Sequence, residues 1–129
     1  MRRVALAGML ALAAGAPVHA KGDAQRGEQL YARCAACHAL AYDRVGPRHC
    51  GLLGRRAGSV PGFAYSPAMK KANIVWTGAT LDRFLAKPTR TVPGTSMTYD
   101  GVPDPVERAD LIAFLEKANR SPTDCAKRK

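Results

Sequence analysis

The chain has 129 residues, with 20 Lys plus Arg against 10 Asp plus Glu, a net charge of +10 at pH 7. That length supports one domain, and the one long apolar run, 13 residues from Val4 to Ala16, falls short of the roughly 20 that a membrane helix needs. Only 6% of the residues are aromatic, and Gly and Pro punctuate the middle of the chain, so a cofactor, a metal or a disulfide is expected to complete the core.

In chain order, Arg2 and Arg3 precede the apolar run and the small-residue tripeptide Val18-His19-Ala20 follows it, the layout of a secretory signal peptide. Residues 1–20 are expected to be removed after Ala20, leaving a single domain of residues 21–129. Losing Arg2 and Arg3 while keeping every acidic residue lowers the net charge to about +8. Export places the domain in an oxidising compartment, for which a bacterial periplasm is the simplest address. A first helix is predicted from Asp23 to about Ala36, with Leu30, Tyr31 and Cys34 along one face. From Ala39 to Pro61, four glycines and two prolines interrupt any periodicity, which reads as a long ordered loop. Ser66 and Pro67 supply a cap and a first-turn proline for a short helix to Ala72. Thr77 caps another, whose stripe is Leu81, Phe84 and Leu85 and whose end is Pro88. The last helix carries the strongest signal: Asp104 as cap, Pro105 in the first turn, Glu107 placed to close a capping box, then Leu111, Phe114, Leu115 and Ala118 on one face. Alternating strand patterns, repeats and low-complexity segments are absent, so the fold class is all-α, with helices joined by substantial ordered loop.

Cys34-Ala35-Ala36-Cys37-His38, at the end of the first helix, is a C-x-x-C-H sequence, the attachment pattern of a c-type haem. Two thiols at this spacing can each form a thioether to a haem vinyl group, and the adjacent His38 is then held under the iron as an axial ligand. A thioredoxin-like pair belongs in a βαβ context that this chain lacks, and zinc would need a second ligand pair that His49, Cys50 and Cys125 supply only awkwardly. One motif implies one haem c. Downstream, Pro93-Gly94-Thr95-Ser96-Met97 offers a thioether on an irregular stretch to an iron still lacking its sixth ligand, and His/Met ligation raises the potential of electron-transfer centres. A methionine alone is more often core filler. Cys50 and Cys125 remain as an even pair; an intramolecular disulfide is the economical reading, and pairing between molecules is the alternative.

These residues belong to a wider pattern. Gly22-Asp23 through Gly27, Tyr31 and the C-x-x-C-H sequence, Val45-Gly46-Pro47, Gly51 to Arg55, Pro61 to Tyr65, Trp76, Pro93 to Met97 and Glu107 to Leu115 follow in this order. With them the chain resembles a class I cytochrome c of the mitochondrial type, as found among soluble bacterial carriers. The resemblance covers nearly all of residues 21–129 and implies that family's small fold, wrapped around one covalent haem. It implies that the first helix crosses the last, with Gly27 permitting close approach and Tyr31, Leu111 and Phe114 packing at the crossing. It also implies that the Pro47 carbonyl accepts the N–H of His38, that Arg55, Tyr65 and Trp76 hydrogen-bond a buried propionate, and that Thr95 lies against the haem beside Met97. Three residues depart from the family's usual pattern: Phe84 replaces a tyrosine near the methionine sulfur, Met69 an asparagine near a buried water, and His49 an apolar residue. A lost donor to sulfur lowers the potential and a drier pocket raises it, so the first two departures oppose each other. His49 has two readings, a partly buried hydrogen-bonded residue or a pH-linked ligand switch, and Met69 is read as packing or as an alternative ligand.

An iron with both axial positions filled by protein does not readily bind substrate, which points to a one-electron carrier and not to an enzyme. The resemblance implies a cytochrome bc complex or a periplasmic dehydrogenase as donor, an oxidase, reductase or photosynthetic reaction centre as acceptor, and a monomeric carrier. Two readings compete. A peroxidase-like or gas-binding haem protein would need an acid or base beside an open iron site, which Phe84 and Met69 do not supply; the other rival is a zinc or disulfide module without haem. Export argues against nucleic acid as the partner despite the positive charge. By resemblance the docking face surrounds the haem edge, where Arg33, Arg44 and Arg90 carry charge and the apolar rim lies near Ala36 and Val102, while Lys127, Arg128 and Lys129 hold much of the excess charge in the tail.

Overall fold

Asp23 starts the first helix: in the computed structural model, which describes residues 21–125, its carboxylate accepts the backbone N–H groups of Gln25 at 2.9 Å and Arg26 at 3.2 Å. The expected signal peptide and Lys127, Arg128 and Lys129 lie outside the described residues. Helix α1 covers Ala24–Tyr31 and stops ahead of the expected Ala36. Beyond it the chain tightens into successive turns, with Cys34 and Ala35 both donating to the Tyr31 carbonyl at 2.8 and 3.0 Å, and Cys37 and His38 both donating to the Cys34 carbonyl at 3.1 and 2.9 Å. Residues 39–61 form no helix, as their Gly and Pro content requires. Helix α2, Pro67–Lys71, begins where the Ser66 hydroxyl accepts the Met69 N–H at 3.2 Å. Helix α3, Gly78–Ala86, opens with a reciprocal box between Thr77 and Thr80. Pro88 does more than end it. A single turn, α4, spans Pro88–Thr91, because a proline whose φ suits the first helical position starts a turn as readily as it stops one. Helix α5 covers Pro105–Arg120, capped by Asp104, which accepts the Val106 N–H at 2.8 Å. The expected capping box does not close, because the Glu107 carboxylate reaches across to Arg33 Nη1 at 2.9 Å.

The core follows from one crossing. Helix α1 approaches α5 so closely that a Cβ on Gly27 would stand 2.0 Å from the Asp110 carbonyl oxygen, which excludes every other residue there. The Tyr31 and Phe114 rings meet with centroids 5.1 Å apart, and Leu111, Leu115 and Ala118 are exposed by 3% or less. Burying each leucine of this kind contributes roughly 1.5–3 kcal/mol. Asp110, only 3% exposed, accepts Arg26 Nε at 2.9 Å and the Asp23 N–H at 2.7 Å. The Arg26 guanidinium first, and that N–H second, hold its carboxyl below the usual carboxylate range. Helix α3 turns Leu81, Phe84 and Leu85 inward and packs on α5. No strand forms among the described residues; one antiparallel bridge joins Arg56 to Val75. Nor, among them, is any helix long and apolar enough to cross a membrane.

Candidate functional site

Helices and loops enclose a cavity of about 410 Å³. Two stretches of chain supply most of its lining. The earlier one contributes Cys34, Cys37, His38, Pro47 and Arg55; the later one contributes Tyr65, Met69, Trp76, Phe84, Leu85, Thr95 and Met97. All nine site residues expected from the sequence therefore line one cavity.

The earlier stretch is tied by polar contacts. His38 Nδ1 lies 2.7 Å from the Pro47 carbonyl oxygen, and a carbonyl only accepts, so Nδ1 carries the proton and Nε2 keeps the lone pair. Burial lowers the His38 pKa against the opposing pull of that carbonyl, which favours the neutral ring that a metal requires. Gly46 makes room for it: a Cβ there would come within 2.2 Å of His38 Cε1. Cys34 is partly buried, Cys37 is exposed, and neither takes part in a disulfide. Cys50 and Cys125, by contrast, form a disulfide with Cα atoms 5.5 Å apart. That bond removes the sulfur ligands a zinc site at His49 would use. His49 is pushed down to about 3, by burial first and then by the neighbouring His38 and Arg55, so it stays neutral and hydrogen-bonded, as in the first of its two readings.

Arg55 tests whether the cavity fits a haem. Its Nη groups donate to the carbonyls of Cys50 at 3.1 Å and Arg48 at 2.9 Å, yet Nε is buried with no partner. A partly buried guanidinium with an orphaned N–H calls for an anion. Tyr65 adds a second donor, since its hydroxyl accepts the Val60 N–H at 3.3 Å and keeps its own hydrogen to donate. Trp76 is brought beside Arg55 by the bridge between their segments, its N–H donating to the Arg55 carbonyl at 2.9 Å and its carbonyl accepting the Gly54 N–H at 2.8 Å. A carboxylated, largely apolar macrocycle suits this combination of a cationic end and an otherwise apolar lining.

The later stretch is mostly apolar. Met97 sits on an irregular segment turned by Thr95, whose hydroxyl accepts the Met97 N–H at 3.2 Å and whose own N–H donates to the Val92 carbonyl at 3.0 Å. Around it stand Met69, Leu81, Phe84 and Leu85, all buried. None of these four side chains is an acid or a base. Met69 belongs to the hydrophobic cluster, in agreement with its reading as packing.

Two surface expectations change. Val102 is only 3% exposed, because its N–H donates to the Leu85 carbonyl and fixes it inside the core, so it forms no rim; Val45, 80% exposed and also at the cavity, offers the apolar contact instead. Arg33 is not a solitary cation, since it pairs with Glu107. Asn119 went unrecognised in the sequence although it is central. Its Nδ2 donates to the His49 carbonyl at 3.1 Å and to the Leu115 carbonyl at 2.8 Å, and its Oδ1 accepts the Leu52 N–H at 2.9 Å. The available signal was a polar residue on the line continued from Leu111 and Leu115.

Residues 24–119 match the family described as Cytochrome c. Cytochrome c2 of Rhodomicrobium vannielii is 44% identical over 116 residues, which cover 88% of this chain and 92% of that protein. Cytochrome c of Arabidopsis thaliana is 40% identical over 109 residues, or 81% of this chain and 97% of that one. Among solved structures, cytochrome cH from Methylobacterium extorquens superposes with a TM-score of 0.72 at 42% identity, covering 74% of this chain and 99% of its own.

Proposed function

Since the chain belongs to the cytochrome c family, whose members carry one covalently attached c-type haem with iron and are electron-transfer proteins rather than enzymes, we propose that it is a periplasmic one-electron carrier with His/Met ligation. In this reading Cys34 and Cys37 hold the haem through thioethers, and His38 Nε2 and the Met97 sulfur take the axial positions. Arg55, Tyr65 and Trp76 bind a propionate, and Thr95 holds the Met97 backbone. When bound, the haem supplies a one-electron couple at its iron. The Pro47 carbonyl orients His38 and strengthens it as a donor. Met69, Phe84 and Leu85 exclude water, and Arg55 offsets the charge of a buried carboxylate.

The observation that carries the reading is His38, with Nδ1–H committed to Pro47 at 2.7 Å and Nε2 left as the donor nitrogen in a cavity that also holds the Met97 thioether. Visible spectra of oxidised and reduced protein test it. The ferric form is expected to show the weak far-red sulfur-to-iron charge-transfer band, and the ferrous form to resist carbon monoxide; a missing band with ready carbon monoxide binding would return the peroxidase-like reading.

Localisation follows the same premise. Export by a signal peptide cleaved after Ala20 predicts a secreted chain beginning at Lys21, which intact-mass analysis of the periplasmic fraction reads directly. A cytochrome bc complex or dehydrogenase would supply electrons to a monomeric carrier, and an oxidase, reductase or reaction centre would accept them. Val45 and Arg44, both exposed beside the cavity or its attachment segment, support a docking face there.

A further inference from the structure

We propose that His49 is a positioning residue for His38: its ring, stacked on the His38 imidazole, sets the plane in which that imidazole meets the iron. The inference rests on the axial role proposed for His38. The two ring centroids are 4.3 Å apart with an interplanar angle of 22°, an offset stack. The bond from His38 Nδ1 to Pro47 lies in the plane of the ring, so it fixes where Nδ1 points but opposes rocking of the ring about that direction only weakly. A flat face laid against the ring adds a restraint to that bond and to the close approach of the Gly46 backbone.

His49 can act this way because it is itself held at its Nδ1, its backbone N–H and its carbonyl. Tyr31, buried in the α1–α5 crossing, places its hydroxyl 3.0 Å from His49 Nδ1, and its ring meets His49 edge-on at 5.6 Å and 68°. The His49 N–H donates to the carbonyls of Ala39 and Leu40, each at 3.1 Å, and its carbonyl accepts Asn119 Nδ2 at 3.1 Å. The next residue, Cys50, is cross-linked to Cys125. The plane of His38 is thus keyed to the crossing of the terminal helices through one histidine. A leucine would fill similar volume without a flat face or a bond to Tyr31.

In a ferric low-spin haem the plane of an axial imidazole and the orientation of an axial thioether together direct the unpaired spin density, so the order and spread of the four haem-methyl proton resonances read the imidazole plane where the Met97 side-chain resonances show its orientation unchanged. The experiment compares ferric wild-type holoprotein with His49→Leu, His49→Phe and Tyr31→Phe, each with its far-red band recorded. His49→Leu is expected to change the methyl order or spread while the far-red band remains, and His49→Phe, which keeps the stacked ring, to restore the wild-type pattern. A wild-type pattern in His49→Leu overturns the proposal, and so does an equal disturbance in His49→Phe. Should His49→Leu not fold, Tyr31→Phe decides: loosening His49 is expected to shift the same methyls by less, and an unchanged pattern overturns the proposal. Absence of the far-red band from the wild type would instead reject the axial assignment itself, so the two failures are told apart.

Discussion

The two stretches that line the cavity hold their sulfur and nitrogen donors by opposite means. Around His38 the restraints are specific and redundant: a carbonyl on Nδ1, a stacked ring, a disulfide on the residue after that ring, and Asn119 tying the same loop to α5. Met97 donates its backbone N–H to the Thr95 hydroxyl, and the rest is apolar packing against the cluster that includes Met69, Phe84 and Leu85. Hydrogen bonds and a flat stacked face fix orientation, whereas packing by flexible aliphatic side chains fixes position alone. Under the proposed ligation, this arrangement keeps the nitrogen ligand fixed and leaves the thioether as the ligand that yields.

The largest effect should come from removing the yielding ligand. Met97→Ala is expected to abolish the far-red band completely and to open the ferrous iron to carbon monoxide, both visible in absorption spectra. If the variant keeps the band, the stretch from Pro93 to Met97 does not supply the ligand. Cutting the tie on the other side should cost stability and spare the band. The Cys50→Ser, Cys125→Ser double variant is expected to lose at most about 4.5 kcal/mol in denaturant unfolding, the loop-closure value for cysteines 75 residues apart, with the far-red band intact. Thiol counting on the denatured, unreduced wild-type holoprotein should accordingly find none; two per chain would disprove the cross-link in solution.

Both linings hang from the α1–α5 crossing, and its acid response sharpens the comparison. Asp110 titrates below the usual carboxylate value because of Arg26 and the Asp23 N–H, so the stability it contributes is present above about pH 4 and is lost as pH falls through the folded value. Asp110→Asn should lower stability at neutral pH and flatten the acid limb of an unfolding titration, and an unchanged acid limb would show that other carboxylates dominate it. The smallest effect concerns docking. Arg44→Glu should reduce the second-order rate with an acidic redox partner modestly, and less so as salt rises, because only charges within about 8–10 Å escape screening. Arg33→Glu should lower that rate by a similar amount, since it turns the neutral Arg33–Glu107 pair into two negative charges. If triple charge reversal of Lys127, Arg128 and Lys129 slowed transfer more than either, the face near Val45 would not be the docking face.

Much of this was legible before any coordinates. The caps at Asp23, Ser66, Thr77 and Asp104 are local, and the stripe from Leu111 to Ala118 repeats at helical spacing, so the sequence carries both within a few residues. The C-x-x-C-H turn is equally plain, because its chemistry is rare, whereas Met97 stands out only in combination with it. What was hidden depends on neighbours far along the chain. Glu107 satisfies every local rule for a capping box, yet Arg33, 74 positions away, offers a charged partner and takes it. Asn119 looks like a helix-end polar residue until the loop at His49 and Leu52 is laid against it. Val102 reads as rim because the alignment of motifs gives its place along the chain and not its depth.

The 50–125 disulfide also constrains how the protein can be assembled. Cys37 and Cys50 are only 13 residues apart, whereas Cys50 and Cys125 are separated by 75. In an unfolded chain the shorter loop closes more easily by about 1.5 kcal/mol, roughly tenfold in population. An exported chain met first by oxidant would therefore favour a cross-link that consumes an attachment thiol. Maturation avoids this waste if Cys34 and Cys37 are committed to haem before oxidation, which leaves Cys50 and Cys125 as the pair that can close.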